Sequence, residues 1–365
     1  MEAYGSGQTV QVSKVDEKND SVFRKVGRQM NLKDIAKEAG VSAATVSNVI
    51  NGNFHKVSQE TINKVQKIIE ENDYKPSTIA RSLARKESKI IGVVMPNLGE
   101  DDAFSVSPYN TQILALLENY IRKQGYYLMI RSVKECKEVI PLFSTWYVDG
   151  MIFMGAFKNE IEDIRSRLEV PTVYIDAYAE ELEIANVGID DYKGGFLAAR
   201  YLIGKGHRKI AFAGPNINSS GVIQERYRGF SDACKEQGIE VNQACIFEAW
   251  TLYEYGVEIG KKIAFSDEGF TAVAAMSDIL AFGIMEGLRL CGVNVPGNIS
   301  VVGFDNLPEC QYSNPKLTTV SQNLERKALL AGEYLFQMIR SKEKVVIDQK
   351  VDVEIVERQS VREIV

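Results

Sequence analysis

The stretch NLKDIAKEAGVSAATVSNVIN, residues 31–51, contains two short helical patterns separated by a tight turn. The apolar residues of the first pattern recur every three or four positions and therefore share one helix face: Leu32, Ile35, Ala36 and Ala39. Gly40 ends this helix, because glycine adopts the left-handed C-cap conformation at little cost. The Ser42 hydroxyl is placed to cap a second helix. Two helices joined this closely predict a helix-turn-helix that binds DNA.

The second helix has an apolar face and a polar face. Val46, Val49 and Ile50 are expected to point inward. The outward positions hold small or polar residues, which suit a DNA groove: Ala43, Ala44, Ser47 and Asn48. The alternative that this stretch alone leaves open is a pair of helices in an ordinary bundle.

A third helix follows, and after it a short basic segment. Ser58 is the expected N-cap of QETINKVQKIIEEN, residues 59–72, whose apolar residues repeat with helical spacing. A three-helix unit this small is only marginally stable by itself. Pro76 breaks the third helix, and residues 77–86 have the pattern of a further short helix. We hypothesise that this hinge helix stays disordered until it pairs with that of a second chain on DNA; a linker that never orders is the alternative.

After the hinge the pattern changes to strands that alternate with helices. Apolar β-branched runs such as IIGVVM are separated by helical segments, which predicts parallel sheets covered on both faces. Two doubly wound subdomains are expected, the first at about 89–187 and 321–347 and the second at about 188–317 and 348–365. The segments LTTVSQN and ALLAGEYLFQMI are predicted to cross back to the first subdomain. Ligands usually bind at the carboxyl ends of such strands, hence in the cleft between the subdomains.

The composition fits a multidomain protein without a membrane segment. The chain has 365 residues, 45% of them hydrophobic, and no stretch apolar enough to span a membrane. The first 29 residues are polar and differ from a secretory signal, so we expect a disordered extension at residues 1–29. Five cysteines without a CxxC pair indicate reduced thiols in the cytoplasm, with neither a disulfide nor a zinc framework.

The net charge of −6 by itself argues against a nucleic-acid partner. Residues 30–88, however, contain nine basic and seven acidic side chains, so this part of the chain is net positive by two. Such an excess is a weak electrostatic signal for DNA. The prediction of DNA binding therefore rests on the helix pattern rather than on charge.

The sequence shows no enzyme signature. The two histidines, His55 and His207, lie in different predicted domains, and no GxSxG, P-loop or metal-binding spacing is present. We expect no catalytic residues, no metal and no cofactor. A solute-binding protein of the periplasmic sugar-binding class is the main alternative, because the core alone fits that class. The helix-turn-helix and the missing signal peptide argue against it.

Seven motifs occur in an order and at a spacing that chance does not explain: LKDIAKEAGVSAATVSNVING, YKPSTIARSLARK, IIGVVMPN, VDGMIF, NVGIDDYKGGFLAARYLIGKGHRKIAFAGP, ERYRGFSDA and ISVVGFDNLPECQYSNPKLTTVSQN. In these motifs nearly the whole chain from Met30 onward resembles the lactose-repressor and galactose-repressor (LacI/GalR) family of bacterial transcription regulators. The resemblance implies a DNA-binding helix-turn-helix domain at residues 30–75, a hinge helix at 76–88, and an effector-binding core at 89–365 with a periplasmic-binding-protein-like fold.

The same resemblance implies a sequence-specific transcriptional regulator, expected to be a repressor, which a small molecule controls allosterically from the interdomain cleft. A sugar or sugar derivative is the expected effector. Because one helix-turn-helix domain reads only half a site, a homodimer on a near-palindromic operator is expected. Docking of a partner protein, which some family members show, stays open.

Arg226 and Asp305 match positions where the family holds its effector. An arginine and a carboxylate form a polar clamp that suits vicinal hydroxyls, whereas the alternative is that the two pair with each other across the cleft. Asp278 corresponds to a further family aspartate, although Ser277 replaces the asparagine that usually precedes it. Two aromatic residues are candidates for stacking on the apolar face of a sugar: Trp250 and Tyr109.

By the same resemblance, Ala43, Ala44 and Asn48 occupy the base-reading positions of the second helix. The family most often has arginine where Asn48 stands. Because asparagine engages adenine where arginine prefers guanine, we predict adenine at that base pair. Leu83 resembles a leucine that enters the minor groove and kinks the duplex, with burial in the hinge helix as the alternative. Three further residues are expected to contact phosphates: Ser47, Lys33 and Arg81.

Overall fold

The computed structural model describes residues 30–72, 74, 87–96, 107–134, 136–139, 141, 147–156, 158–179, 181–215, 217 and 221–364. The chain divides into two compact units, Met1–Lys86 and Glu87–Val365, which we call the headpiece and the core. The predicted N-terminal extension and nearly all of the predicted hinge helix, including Arg81 and Leu83, lie outside the described residues.

The described part of the headpiece forms three α-helices, as the sequence predicts. They are α1 (Leu32–Ala39), α2 (Ala43–Ile50) and α3 (Gln59–Glu71). Gly40 ends α1 in the left-handed conformation, with φ of 68°. The hydroxyls of Ser42 and Ser58 accept hydrogen bonds from the backbone N–H groups of Thr45 and Thr61, at 3.1 and 3.4 Å. The predicted glycine turn and both serine caps are confirmed.

The apolar stripes of these helices meet in the small hydrophobic interior of the headpiece. Apart from alanines, the residues buried there are Ile35, Val46, Val49, Ile62, Val65 and Ile68. One prediction of an outward-facing residue is only partly right, because Ala43 packs partly against this hydrophobic interior. Ala43 precedes Val46 by three residues and therefore shares its helix face. Ala44 is exposed, as predicted.

A first six-stranded sheet lies in the core. Its strands are β1 (Ile90–Pro96), β2 (Tyr127–Val133), β3 (Gly150–Met154), β4 (Thr172–Ile175), β5 (Ala185–Ile189) and β11 (Ile347–Val351). They lie in the order β11-β5-β4-β3-β1-β2, and every neighbouring pair is parallel. The helices that cover this sheet are α4 (Pro108–Lys123), α5 (Lys158–Arg167) and α10 (Leu324–Ser341).

The second sheet repeats the first. Its strands are β6 (Ile210–Gly214), β7 (Ile246–Glu248), β8 (Ala272–Ala275), β9 (Ser300–Asp305), β10 (Thr318–Ser321) and β12 (Glu354–Val356). They lie in the order β12-β10-β9-β8-β6-β7, with β12 antiparallel to β10 and the other pairs parallel. Its helices are α6 (Asp191–Gly204), α7 (Gly221–Glu236), α8 (Tyr253–Ala264) and α9 (Asp278–Leu290). The predicted fold of two doubly wound sheets is confirmed.

Two boundaries between the subdomains differ from the prediction by a few residues. The segment LTTVSQN contains β10, which pairs with β9 in the second sheet, so the crossing to α10 comes after this strand. Strand β11 pairs with β5 in the first sheet, although most of it was expected in the second. Both segments have strand-like apolar patterns, and such a pattern does not specify which strand each segment pairs with.

Candidate functional site

The surface of α2 presents the predicted DNA-reading residues. Ala44 is exposed, and Asn48 is half-buried without a side-chain hydrogen bond to the described residues. The hydroxyl of Ser47 accepts a hydrogen bond from the Asn51 amide at 3.2 Å. Lys33 is exposed at the start of α1. A methyl group, a free amide and a hydroxyl on one short helix provide the kinds of contact that base edges in the major groove accept.

Two aspartates lie at corresponding positions of the two sheets. Asp176 directly follows β4, and Asp305 is the last residue of β9; each strand is the third in its sheet. Both residues have positive φ angles, 55° and 125°. Residues other than glycine adopt such angles at a cost, and they cluster at functional sites. These carboxylates therefore lie at the carboxyl ends of both sheets, where ligands usually bind in folds of this kind.

A chain of hydrogen bonds joins the two aspartates. Lys327 of α10 donates to both carboxylate oxygens of Asp176, at 2.9 and 3.0 Å, and to Oε1 of Gln322 at 2.7 Å. Nε2 of Gln322 donates in turn to Asp305 at 2.5 Å. Tyr109, at the start of α4, donates its hydroxyl proton to Asp176 at 2.6 Å. Polar groups of both subdomains thus meet in one place, the cleft.

Arg226 of α7 approaches the cleft from the second subdomain. Its Nε donates to Asp191 at 2.7 Å, and a terminal nitrogen donates to the Met276 carbonyl at 2.9 Å. The guanidinium carbon lies 3.7 Å from the ring centroid of Phe304, the residue before Asp305. Among the described residues the ion-pair partner of Arg226 is Asp191 and not Asp305. Arg226 therefore pairs with Asp191, and the direct pairing of Arg226 with Asp305, which was the alternative from sequence, is not observed. We use the name cleft network for Tyr109, Asp176, Asp191, Arg226, Asp305, Gln322 and Lys327.

Two glycines explain how Arg226 reaches Asp191. A Cβ atom on Gly195 would lie 1.9 Å from the Arg226 carbonyl oxygen, and one on Gly229 would lie 1.9 Å from the Tyr192 carbonyl oxygen. Only glycine permits α6 and α7 to approach this closely. The approach places Arg226 beside the first residue of α6, which is Asp191.

Burial changes the acidity of these groups. Burial, reinforced by the nearby Asp278 carboxylate, raises the pKa of Asp305 to about 8. Burial also raises the pKa of Asp191, against the lowering effect of Arg226. The pKa of the Tyr109 hydroxyl is raised well above its usual value, first by burial and then by Asp176. At neutral pH the site therefore favours a protonated Asp305, which both donates and accepts hydrogen bonds.

Asp278 has a supporting position behind Asp305. Its fully buried carboxylate accepts hydrogen bonds from the Leu307 backbone N–H, the Cys310 thiol and the Thr319 hydroxyl, at 2.8, 3.0 and 2.5 Å. These bonds fix the loop that follows Asp305. The contacts describe a positioning role, and the predicted effector contact of Asp278 stays a prediction.

Trp250 lies after β7 with 46% of its surface exposed, so its ring is accessible. A cavity of about 160 Å³ lies between Asp176 and Tyr178 of the first subdomain and Asp191 of the second, and it extends to the exposed Asp348. Arg226 and Asp305 are only 7% and 5% exposed, and they do not line this cavity. Of the cleft network, the cavity therefore contacts the two aspartates Asp176 and Asp191.

Sequence reasoning missed four residues of the cleft network: Asp176, Asp191, Gln322 and Lys327. Asp176 has a usable signal, since it closes the strand TVYID as Asp305 closes SVVGFD. Lys327 has one as well, because it interrupts the apolar stripe of α10. Asp191 and Gln322 have none, because a first-turn aspartate and a loop glutamine are common in any α/β protein.

Two absences apply to the described part of the chain. Every helix there is too short or too polar to serve as a membrane span. The same residues contain no group of three or more His, Cys, Asp or Glu side chains arranged to hold a metal ion.

Comparisons with known proteins agree with both halves of the molecule. Residues 31–77 match the model of the lacI family of bacterial regulatory proteins, and residues 199–361 match that of periplasmic binding protein-like domains. The HTH-type transcriptional repressor PurR of Pasteurella multocida (strain Pm70) is 32% identical over 339 residues, covering 91% of this chain and 98% of that protein.

Two further comparisons cover most of the chain. The ribose operon repressor of Haemophilus influenzae is 32% identical over 314 residues, 85% of this chain and 92% of that protein. A crystal structure of the lac repressor dimer bound to operator and the anti-inducer ONPF has a TM-score of 0.80 at 26% identity, covering 92% of this chain and 100% of that one.

A helix-turn-helix on the same chain as a two-sheet ligand-binding core defines a DNA-binding transcriptional regulator that a small molecule controls. The relatives named above are transcriptional repressors. This chain belongs to the lacI family of bacterial regulatory proteins. It is a regulator and not a solute-binding protein without a regulatory role.

Proposed function

We propose that this regulator binds a near-palindromic operator as a homodimer and that its operator affinity changes when a sugar-like effector binds in the cleft. It acts in the cytoplasm, where the chromosome is. The observation that carries the proposal is the convergence of Tyr109, Arg226 and Asp305 from both subdomains on one buried polar site. A ligand that bridges the two subdomains stabilises one arrangement of them, and this couples the cleft to DNA binding.

The chemistry of the cleft supports a ligand with several hydroxyl groups. A protonated Asp305 offers a donor and an acceptor close together, and Arg226 adds donors in a fixed direction. The ring of Trp250 is accessible for stacking on an apolar sugar face. We assign effector binding to these residues and to Tyr109, with Asp278 as support.

A thermal-shift screen of sugars, nucleosides and purines on the full-length protein tests the effector assignment. Each hit is then added to an operator-binding measurement. Arg226→Ala is expected to abolish the shift relative to the variant's own baseline. Arg228→Ala is the matched control, because Arg228 is exposed on the same helix and pairs with Glu225. If Arg226→Ala binds the hit as tightly as the unmodified protein, the assignment of the pocket is wrong.

On the DNA side we assign base reading to Ala43, Ala44 and Asn48 and phosphate contacts to Ser47 and Lys33. The support is their place at the start and surface of two short helices whose caps and core are well defined. Leu83 and Arg81 stay predictions from the resemblance. Selection of bound fragments from genomic DNA tests this assignment, and the absence of any preferred sequence would contradict it.

The homodimer has a candidate surface on the second subdomain. A groove of about 600 Å³ there is lined by Tyr253, Phe282, Met285, Tyr312 and Pro315, among others. Tyr312 is 81% exposed, and an exposed aromatic groove of this kind fits a protein partner. A second copy is the proposed occupant, because the lac repressor structure compared above is a dimer. Tyr312→Glu with Tyr253→Glu, two exposed tyrosines of this groove, should convert the dimer to a monomer in analytical ultracentrifugation, whereas Tyr147→Glu, at an exposed tyrosine of the first subdomain, should not.

A further inference from the structure

Lys327 is a buried cation on the apolar face of α10. Its side chain is completely excluded from solvent, and its helix neighbours Leu324, Ala328 and Ala331 are buried as well. Burying an ammonium group is costly unless its charge is paired and its protons are hydrogen-bonded. A methionine or leucine would fill this position without the cost of burying a charge, so we infer that the lysine has a role other than packing.

The hydrogen-bond partners of the ammonium group are cleft residues. Asp176 accepts at 2.9 and 3.0 Å, Gln322 at 2.7 Å and the Tyr109 oxygen at 3.3 Å. Tyr109 is a predicted effector residue, and Gln322 contacts a second one, Asp305. Lys327 therefore lies in the wall of the proposed effector site and joins its two halves.

The charges of the cleft network are already balanced within the protein. Arg226 pairs with Asp191 at 2.7 Å, and Lys327 pairs with Asp176 at 2.9 Å. Asp305 is the additional acid, and its hydrogen bond comes from the neutral amide of Gln322. The network is thus neutral when Asp305 is protonated and negative when it is not. It offers no surplus cation to an anionic ligand.

We propose that the Lys327–Asp176 pair is part of the effector-binding site and restricts that site to uncharged polyhydroxy ligands, rejecting their phosphate esters. The inference rests on the proposed function, because it takes the cleft as the effector site. Ligand hydroxyls exchange hydrogen bonds with Asp176, Gln322 and Tyr109 without changing the net charge. Within the cleft network a phosphate group competes with Asp176 for Lys327 or lies near Asp305, and both arrangements bury an uncompensated negative charge.

Paired ligands test the restriction on the full-length protein. Isothermal titration is carried out with ribose and ribose 5-phosphate, glucose and glucose 6-phosphate, and fructose and fructose 6-phosphate. We expect the neutral member of at least one pair to bind and its phosphate ester to bind at least about 100-fold more weakly. This comparison needs no variant and therefore does not depend on how a variant folds.

Variants then test the residues. Asp176→Asn leaves the Lys327 ammonium without its carboxylate, so the discrimination against the phosphate ester should fall to about tenfold or less. Adding Lys327→Met removes the freed cation, so the double variant should reject the ester again. Asp352→Asn is the matched control, because Asp352 is a fully exposed aspartate in an ion pair with Lys193. The control should discriminate as the unmodified protein does.

The possible failures are distinguishable. An ester that binds as tightly as its neutral partner overturns this inference and leaves the proposed function standing. Unchanged discrimination in a folded Asp176→Asn variant overturns the role of the Lys327–Asp176 pair. If these pairs do not bind and the thermal-shift screen finds no sugar either, the sugar effector of the proposed function is wrong, and the inference fails with it.

Discussion

The helix α2, which we propose reads DNA, and the cleft network lie in opposite electrostatic environments. On α2, the Asn48 amide has no side-chain partner within the described headpiece, and water can solvate it until DNA arrives. In the cleft, Arg226 and Lys327 are almost or completely buried and are already paired with aspartates. A buried charge needs a partner inside the protein, whereas an exposed amide does not. Substitutions in the cleft should therefore change both stability and binding, and substitutions on the solvent-facing side of α2 should change binding alone.

The largest effect is expected for Arg226→Ala. Removing the guanidinium leaves the buried Asp191 carboxylate without its cation, so the free energy of unfolding of the core should fall by about 3–5 kcal/mol. Urea-induced unfolding of the full-length protein measures this change. The exposed Arg228→Ala control should remain within about 0.5 kcal/mol of the unmodified protein. A loss below about 1 kcal/mol for Arg226→Ala would mean that the pair is not needed for stability.

The next effect is that of Gly195→Ala, which tests how the backbone positions the cleft. The added methyl group would lie 1.9 Å from the Arg226 carbonyl oxygen, so α6 and α7 must separate. We expect a loss of about 2–3 kcal/mol in the free energy of unfolding. Gly204→Ala is the control, because no atom lies within 4 Å of a Cβ atom at that position of α6. It should be neutral or slightly stabilising, and equal losses in the two variants would contradict the close-packing explanation.

A pH-dependent effect is expected for Asp305→Asn. Burial raises the pKa of Asp305 to about 8, well above the ordinary value of about 3.9 for an unfolded aspartate. Between these values the folded state retains a proton that the unfolded state has released, so this residue lowers stability as pH rises. Asparagine resembles the protonated acid and removes that dependence. The stability of Asp305→Asn relative to the unmodified protein should therefore increase with pH, by about 1 kcal/mol for each pH unit between about pH 5 and about pH 8.

Urea unfolding at several pH values measures this difference. Asp352→Asn, at a fully exposed aspartate, should show no such trend. A relative stability of Asp305→Asn that stays constant with pH would show that Asp305 has an ordinary pKa.

The smallest effect on stability belongs to Asn48→Arg. This surface change on α2 should leave the free energy of unfolding within about 0.5 kcal/mol of its original value. The base preference should nevertheless move from adenine to guanine at one position of each half-site, by about 1–3 kcal/mol. Binding-site selection with both proteins measures the preference. An unchanged preferred sequence would show that Asn48 does not occupy a base-reading position.

The fold and the helix α2 could be predicted from sequence because local patterns specify them. Gly40, Ser42 and Ser58 mark helix ends through their own backbone chemistry, and each acts where predicted. The alternation of apolar strands and helices likewise predicts the two sheets. The assignment of β10 and β11 to their sheets depended on distant neighbours, and their boundaries shifted accordingly.

The cleft was only partly predictable for the same reason. Arg226 and Asp305 could be identified from sequence motifs, but their hydrogen-bond partners depend on contacts between residues far apart in sequence. Lys327 and Asp176 are separated by 151 positions, and Arg226 and Asp191 by 35. A lysine on a helix is ordinarily expected to be exposed. Its complete burial emerges only when α10 packs beside the strand end that carries Asp176.

Reciprocal coupling between the two sites provides the most direct test of an effector-controlled regulator. The affinity of the full-length protein for a neutral sugar found in the screen is measured with and without saturating operator, and operator affinity is measured with and without that sugar. Both affinities should change by the same factor, about 5- to 150-fold, because linkage requires it. If the sugar binds in the cleft and neither affinity changes, the cleft does not control DNA binding.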